Sequence, residues 1–159
     1  MTKTELDQIL AKHAAWLRGE AEGERADLRS AYLGSADLGS AYLGSADLGS
    51  ADLGSADLRS AILSDDTYLP NESFADYKSD VLPALISAGG KTPQELVNAG
   101  AHLCNSWTNC PMAFAFDIHS EGDAPPLLKP RVREFVQLFD AHLLDEYFVA
   151  IEKGVDDAA

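Results

Sequence analysis

From Ala26 to Asp65 the chain repeats every five residues without interruption. Eight units begin at Ala26, Ala31, Ala36, Ala41, Ala46, Ala51, Ala56 and Ala61. Each reads Ala, then Asp, Tyr or Ile, then Leu, then Gly, Arg or Ser, then Ser, with Asp closing the last unit. A period of five matches neither the 3.6 of a helix nor the 2 of a continuous strand. Within a unit, however, Ala and Leu stand two apart, which is strand spacing and points both side chains to one face. Asp27, Tyr32, Asp37, Tyr42, Asp47, Asp52, Asp57 and Ile62 then point outward. The pair after each Leu is turn chemistry, and Gly34, Gly39, Gly44, Gly49 and Gly54 are expected to take backbone conformations that other residues resist. Each unit is therefore read as a short strand and a corner. Successive corners wind a coil lined by small Ala and by Leu28, Leu33, Leu38, Leu43, Leu48, Leu53, Leu58 and Leu63, stacked at roughly 4.8 Å.

The block ADLRS AYLGS ADLGS AYLGS ADLGS ADLGS ADLRS AILSD resembles the pentapeptide-repeat family, whose signature is a five-residue A(D/N)LXX unit. Members form a right-handed quadrilateral β-helix, so the resemblance implies four units per coil and two coils here. It also implies stacking at twenty residues: Asp27 on Asp47, Tyr32 on Asp52, Asp37 on Asp57 and Tyr42 on Ile62.

A two-coil solenoid leaves bare edges and a Leu plug at its ends, which need covers. Thr2 and Glu5 form a capping box, and Leu6, Ile9, Leu10, Ala14 and Leu17 recur at helical spacing up to Gly19, with Trp16 placed to seal the first coil. Gly23 stands where a repeat would carry Leu. After Asp65 the period ends, and Pro70-Asn71 marks a change of regime. Val81, Leu82, Leu85 and Ile86 form an apolar stripe, Pro83 is tolerable only in a first turn, and Gly89-Gly90 stops that helix. Thr92 to Glu95 is a second capping box with Pro93 at the first helical position. Asn109 is a candidate cap for a helix carrying Met112, Ala113 and Phe116, with Phe114 a further candidate, before Pro125-Pro126. Val132, Phe135, Val136, Phe139 and Leu143 form a long amphipathic stripe that Tyr147, Phe148 and Ile151 continue to Gly154. The expected class is α+β: a capping helix and lead-in over 1–25, a short β-helix over 26–65 and an α-helical domain over 66–159.

The chain carries 26 acidic residues against 12 Lys and Arg, a net charge of −14 over 159 residues. A surface that tracks phosphates needs clustered cations, so direct nucleic-acid binding is excluded and a basic partner is favoured. The acidity is shared between the halves: 1–65 carry −5 and 66–159 carry −9. No apolar run suits a membrane span or a signal peptide, and two cysteines are too few for a disulfide scaffold, so a cytoplasmic setting is expected.

His102, Cys104, Cys110 and His119 offer four soft ligands, but five residues separate the cysteines, wider than zinc spacing, and no second paired motif follows. Buried thiols beside Trp107 are the simpler reading, and no metal or cofactor is expected. Asp117 and His119 could orient one another, yet no nucleophile is placed beside them. Asp145-Glu146 suits a helix N-terminus better than an acid/base pair. The repeat glycines follow Leu and never open a helix with a Lys, so no phosphate loop is present. An enzyme is not expected.

Among pentapeptide-repeat proteins are inhibitors or protectors of bacterial type II topoisomerases that resemble duplex DNA in shape and charge. Those are long rods, whereas two coils rise only about 10 Å, roughly three base-pair steps. The WLRGE leader and the repeat-plus-helical layout look more like pentapeptide-repeat proteins of phages and prophages. That resemblance implies an anti-defence inhibitor, anti-CRISPR or anti-restriction, that mimics DNA and occupies the DNA-binding surface of a basic host complex. The expected partner-binding face is Asp27, Tyr32, Asp37, Tyr42, Asp47, Asp52 and Asp57. Two alternatives stay open: a gyrase- or topoisomerase-interacting protein, and a structural interaction module in which the tyrosines matter more than the aspartates and a homodimer forms.

Overall fold

The computed structural model describes residues 1–54, 56–101, 111–118, 120 and 123–154. The chain divides into two compact units, Met1–Tyr77 and Lys78–Ala159.

The first unit opens with helix α1, Lys3–Leu17, held at its start by the expected capping box. The Glu5 N–H donates to Thr2 Oγ1 at 3.3 Å and the Thr2 N–H donates to Glu5 Oε2 at 2.7 Å. Leu6 and His13 are the buried residues of α1. Trp16, expected to seal the first coil, is partly exposed and stacks on His13 with ring centroids 5.5 Å apart. His13 makes the contact instead, its Nδ1 accepting the Ala26 N–H at 3.1 Å.

Residues 26–65 stack at the twenty-residue spacing. Parallel bridges join Asp27 to Asp47, Tyr32 to Asp52, Asp37 to Asp57 and Tyr42 to Ile62. Each bridge has two backbone hydrogen bonds: Leu28 N–H to the Asp47 carbonyl at 2.8 Å and Asp47 N–H to the Ala26 carbonyl at 3.0 Å, for example. The expected α+β class with a quadrilateral β-helix is nonetheless corrected. Among the described residues every pairing is an isolated bridge, no strand or sheet forms, and the extended regular structure is helical. The cause is the length of the repeat. After Leu the chain turns at once, as the Ala31 N–H returns to the Leu28 carbonyl at 3.1 Å and the Ala46 N–H to the Leu43 carbonyl at 2.9 Å. One outward residue per unit is left to pair, too few to extend a ladder.

The corners also differ from the glycine reading. Positive φ falls on the serines, with Ser30, Ser35, Ser40, Ser45, Ser50 and Ser60 between 55° and 91°, and not on the repeat glycines. A turn closed by an i to i+3 hydrogen bond with positive φ at its third residue is of type II, and Ser occupies that third place. At Gly34 the residue before the serine is held to glycine by space: a Cβ there would lie 2.9 Å from the Gly54 carbonyl oxygen one turn on.

Seven of the eight repeat leucines are buried, Leu28 and Leu43 among the most deeply; Leu63 is half-buried. After this last unit the register shifts. The extra residue Asp66 carries the chain to Thr67-Tyr68-Leu69, which repeats the small-out-Leu pattern one residue late. Tyr68 bridges Asp47, its N–H donating to the Ala46 carbonyl at 2.9 Å, and Leu69 is buried. Thr67 occupies the Ala place because its buried hydroxyl is used, donating to the Leu43 carbonyl at 2.9 Å and accepting the Ser64 N–H at 2.9 Å. Residues 66–77 thus belong to the first compact unit. Helix α2, Phe74–Asp76, runs into a wide π turn at Tyr77–Val81 and on into α3, Leu82–Ala88, with Pro83 in its first turn.

The second unit contains α4 (Pro93–Asn98), α5 (Pro111–Phe116), α6 (Lys129–Asp140) and α7 (Asp145–Glu152). Helix α3 packs on α5 and α6, and α4 on α5 and α7. The second capping box is present at Thr92. The long amphipathic stripe is two helices rather than one: after Asp140 the chain turns, His142 takes φ 62°, and α7 starts with Asp145 and Glu146 in its first turn. The break lets Phe135, Phe139 and Phe148 meet, with Phe139 stacked on Phe135 at 5.3 Å and edge-on to Phe148 at 6.1 Å. A straight helix would carry Phe148 two turns past Phe139 and out of reach.

Candidate functional site

Stacking turns the outward residues into four columns: Asp27, Asp47 and Tyr68; Tyr32 and Asp52; Asp37 and Asp57; Tyr42 and Ile62. Tyr32 is 71% exposed and Tyr42 58%, the largest aromatic surfaces of the coil, and Ile62 is also exposed. Asp27, Asp37 and Asp52 are exposed, while Asp47 and Asp57 are partly covered. The seven residues expected to form a partner-binding face therefore lie outward, but on different sides of the coil.

All five aspartates have a second, structural task. Each accepts the backbone N–H two residues on with Oδ1: Arg29 to Asp27 at 3.2 Å, Gly39 to Asp37 at 3.1 Å, Gly49 to Asp47 at 3.0 Å, Gly54 to Asp52 at 2.9 Å and Arg59 to Asp57 at 3.0 Å. These are Asx turns, which an Asn oxygen would make equally well. Asp37→Asn and Asp52→Asn should each leave thermal stability within about 0.5 kcal/mol of wild type. The corresponding Ala variants should each cost about 0.5–1.5 kcal/mol, the net worth of one hydrogen bond. Thermal unfolding of the four variants checks this.

Two columns also carry their own cations. Arg29 forks onto Asp27, Nε to Oδ1 at 2.8 Å and Nη2 to Oδ2 at 2.6 Å, and comes within 3.7 Å of Asp47. Arg59 holds Asp57 in the same way, Nη2 to Oδ2 at 2.6 Å. The hydrogen-bonded guanidinium lowers Asp27 to about 2 and Asp57 to about 2. Both therefore stay ionised through the neutral and mildly acidic range. The charge of these columns is thus partly cancelled in place. Asp52, beside Tyr32 across the bridge, and Asp37 are not forked by a guanidinium. The acidity of the first unit is wider than its coil: residues 1–77 hold 14 Asp and Glu against 6 Lys and Arg.

His102, Cys104, Cys110 and His119, raised as metal ligands or packing residues, lie outside the described residues, as do Trp107 and Asn109. Among the described residues no three His, Cys, Asp or Glu side chains are grouped to hold a metal ion. Asp145 faces the exposed His142, Oδ2 to Nδ1 at 3.2 Å. No helix among the described residues is long and apolar enough to cross a membrane.

The geometry defines a short coil of stacked five-residue turns that displays paired side chains at fixed spacing. Residues 26–65 match the family model of pentapeptide repeats in eight copies. No curated protein and no solved structure matches the chain.

Sequence reasoning missed three features of the coil and its cap. The Arg–Asp forks are legible afterwards as Arg at the fourth place of the ADLRS units, two residues after Asp. The column extension at Tyr68 is carried by T-Y-L, hidden by the one-residue shift. The role of His13 has no local signal, because its partner, Ala26, is thirteen residues away.

Proposed function

We propose that the chain is a non-catalytic binding module that docks a basic protein surface on its outward columns, with Tyr32 and Tyr42 as anchors and Asp37 and Asp52, which no guanidinium forks, as guides. The observation that carries this reading is the display of two large, exposed tyrosines on a bridged and hydrogen-bonded frame. Aromatic side chains on rigid backbone bury much area at little entropic cost, which is why Tyr recurs at binding hot spots. The net charge of −14 favours a cationic partner and speeds the encounter.

The narrower form of the proposal is a DNA-like inhibitor of a host nucleic-acid-processing complex: an anti-CRISPR or anti-restriction protein of phage type, or a topoisomerase-interacting protein. Its support is the charge. The forks of Arg29 and Arg59 weigh against an unbroken phosphate-like row on the coil, so in this form the remaining carboxylates of the body must contribute.

Capture of bacterial lysate proteins on the immobilised chain, washed at 0.05 M and 0.5 M salt with and without duplex DNA, separates the forms. A basic partner released by salt and displaced by DNA is the outcome expected of mimicry. A partner that survives about 0.5 M salt and ignores DNA keeps the binding module and removes mimicry. Retention of no partner, or of this chain alone, removes both.

A further inference from the structure

We propose that His13 is an acid-sensitive latch that fastens helix α1 to the first turn of the coil and releases it when the imidazole takes up a second proton. His13 is fully buried, and its Nδ1 accepts the Ala26 N–H at 3.1 Å. An acceptor nitrogen carries no hydrogen, so the ring is neutral with its proton on Nε2, and Nε2 has no hydrogen-bond partner among the described residues. Protonation makes both ring nitrogens donors. Nδ1–H would then face the Ala26 N–H, donor against donor, and the bond that joins helix to coil would be lost.

The surroundings sharpen the switch. From the coil, the Gly44 carbonyl favours a charged ring; from the lead-in, the Arg25 guanidinium opposes one, anchored by its Nε donating to the Ser45 carbonyl. On α1 itself, Trp16 stacks on the imidazole, and the neighbouring Lys12 is taken up by Glu24 at 2.9 Å. Burial is the dominant influence and lowers the pKa of His13 from its ordinary 6.5. The sign follows. The opened state binds the proton more readily, so the latch holds at neutral pH and weakens as pH falls below about 6.5. Release would bare Leu6, the ring face of Trp16 and the edge of the first turn, turning a covered end into a sticky one.

The latch is read from hydrogen exchange of the Ala26 amide in the full chain, corrected for the intrinsic pH dependence, beside the NMR titration of the His13 ring proton. For an opened state titrating at about 6.5, the opening constant of Ala26 and of the α1 amides should rise by as much as about 30-fold from pH 7.5 to 5. The amide of Leu96, buried in the second unit, should not follow. In His13→Asn, whose side-chain oxygen can accept the same N–H without titrating, the rise should vanish. A flat Ala26 profile in the wild type, a ring that protonates while Ala26 stays protected, or an equal rise in His13→Asn overturns the proposal. The wild-type profile decides alone if the variant does not fold.

Discussion

Leu48→Ala is expected to cost the first unit about 3–5 kcal/mol, because the methyls removed leave a cavity that the coil cannot close. Leu48 is 1% exposed, and its residue is tied on both sides: its N–H donates to the Tyr68 carbonyl at 2.8 Å and its carbonyl accepts the Ala51 N–H at 2.8 Å. The neighbouring Asp47 is bridged both to Asp27 and to Tyr68, so this rung is held from two sides and cannot shift to fill the void. With total stabilities near 5–15 kcal/mol, such a loss brings the unit close to unfolding at ambient temperature. Leu63→Ala, in the half-buried last unit before the register slips, should cost only about 1 kcal/mol. Urea unfolding of the two variants followed by far-ultraviolet circular dichroism gives the comparison. Equal losses would mean that the leucines do not line a common interior.

Gly23→Ala should be the second large effect, about 2–4 kcal/mol, with α1 the element that loosens. A Cβ at Gly23 would lie 2.3 Å from the Trp16 backbone nitrogen and 2.4 Å from its Cα. Both obstacles are main chain, so no rotamer relieves them. The lead-in is pinned nearby, since the Gly23 N–H donates to the Glu20 carbonyl at 3.0 Å and the Glu24 N–H to the Lys12 carbonyl at 3.2 Å. Hydrogen exchange along α1 should show the loss of protection. Wild-type protection in the variant would mean that the close approach of residue 23 to α1 is absent. By contrast, Gly19 has φ 73° and open space around it, so Ala there is opposed by backbone strain alone.

The contrast at Gly23 shows where sequence reading stops. As a departure from the repeat it looked like a degraded unit, whereas its reason is a helix packed against it. The periodic features were legible: the inward leucines, both capping boxes and the helical stripes over α1, α3 and α6 follow from local spacing, while the twenty-residue bridge register came from the family resemblance. The β-helix class was not, because spacing two within a unit signals extended backbone but does not say how many residues in a row can pair; here only one does. The serine corners were misread since glycine is the usual bearer of positive φ, and the contact that excludes a Cβ at Gly34 comes from Gly54, twenty residues away. The break between α6 and α7 was hidden by a stripe that continues in phase across it. At the candidate site the outward residues were visible, but the Asx bonds and the Arg forks that set their charge required geometry.

Binding through the outward columns can be tested directly. The most direct measurement is the dissociation constant of the captured partner for wild type and for Tyr32→Ser/Tyr42→Ser, with Asp37→Asn/Asp52→Asn alongside, at low and moderate salt. Two tyrosine anchors worth about 1–2 kcal/mol each predict a loss of at least about 30-fold with unchanged circular dichroism, and the Asn pair predicts a weaker affinity whose deficit shrinks as salt rises. Unchanged affinity in both folded variants would contradict the account, taking the coil out of recognition and leaving it as a scaffold.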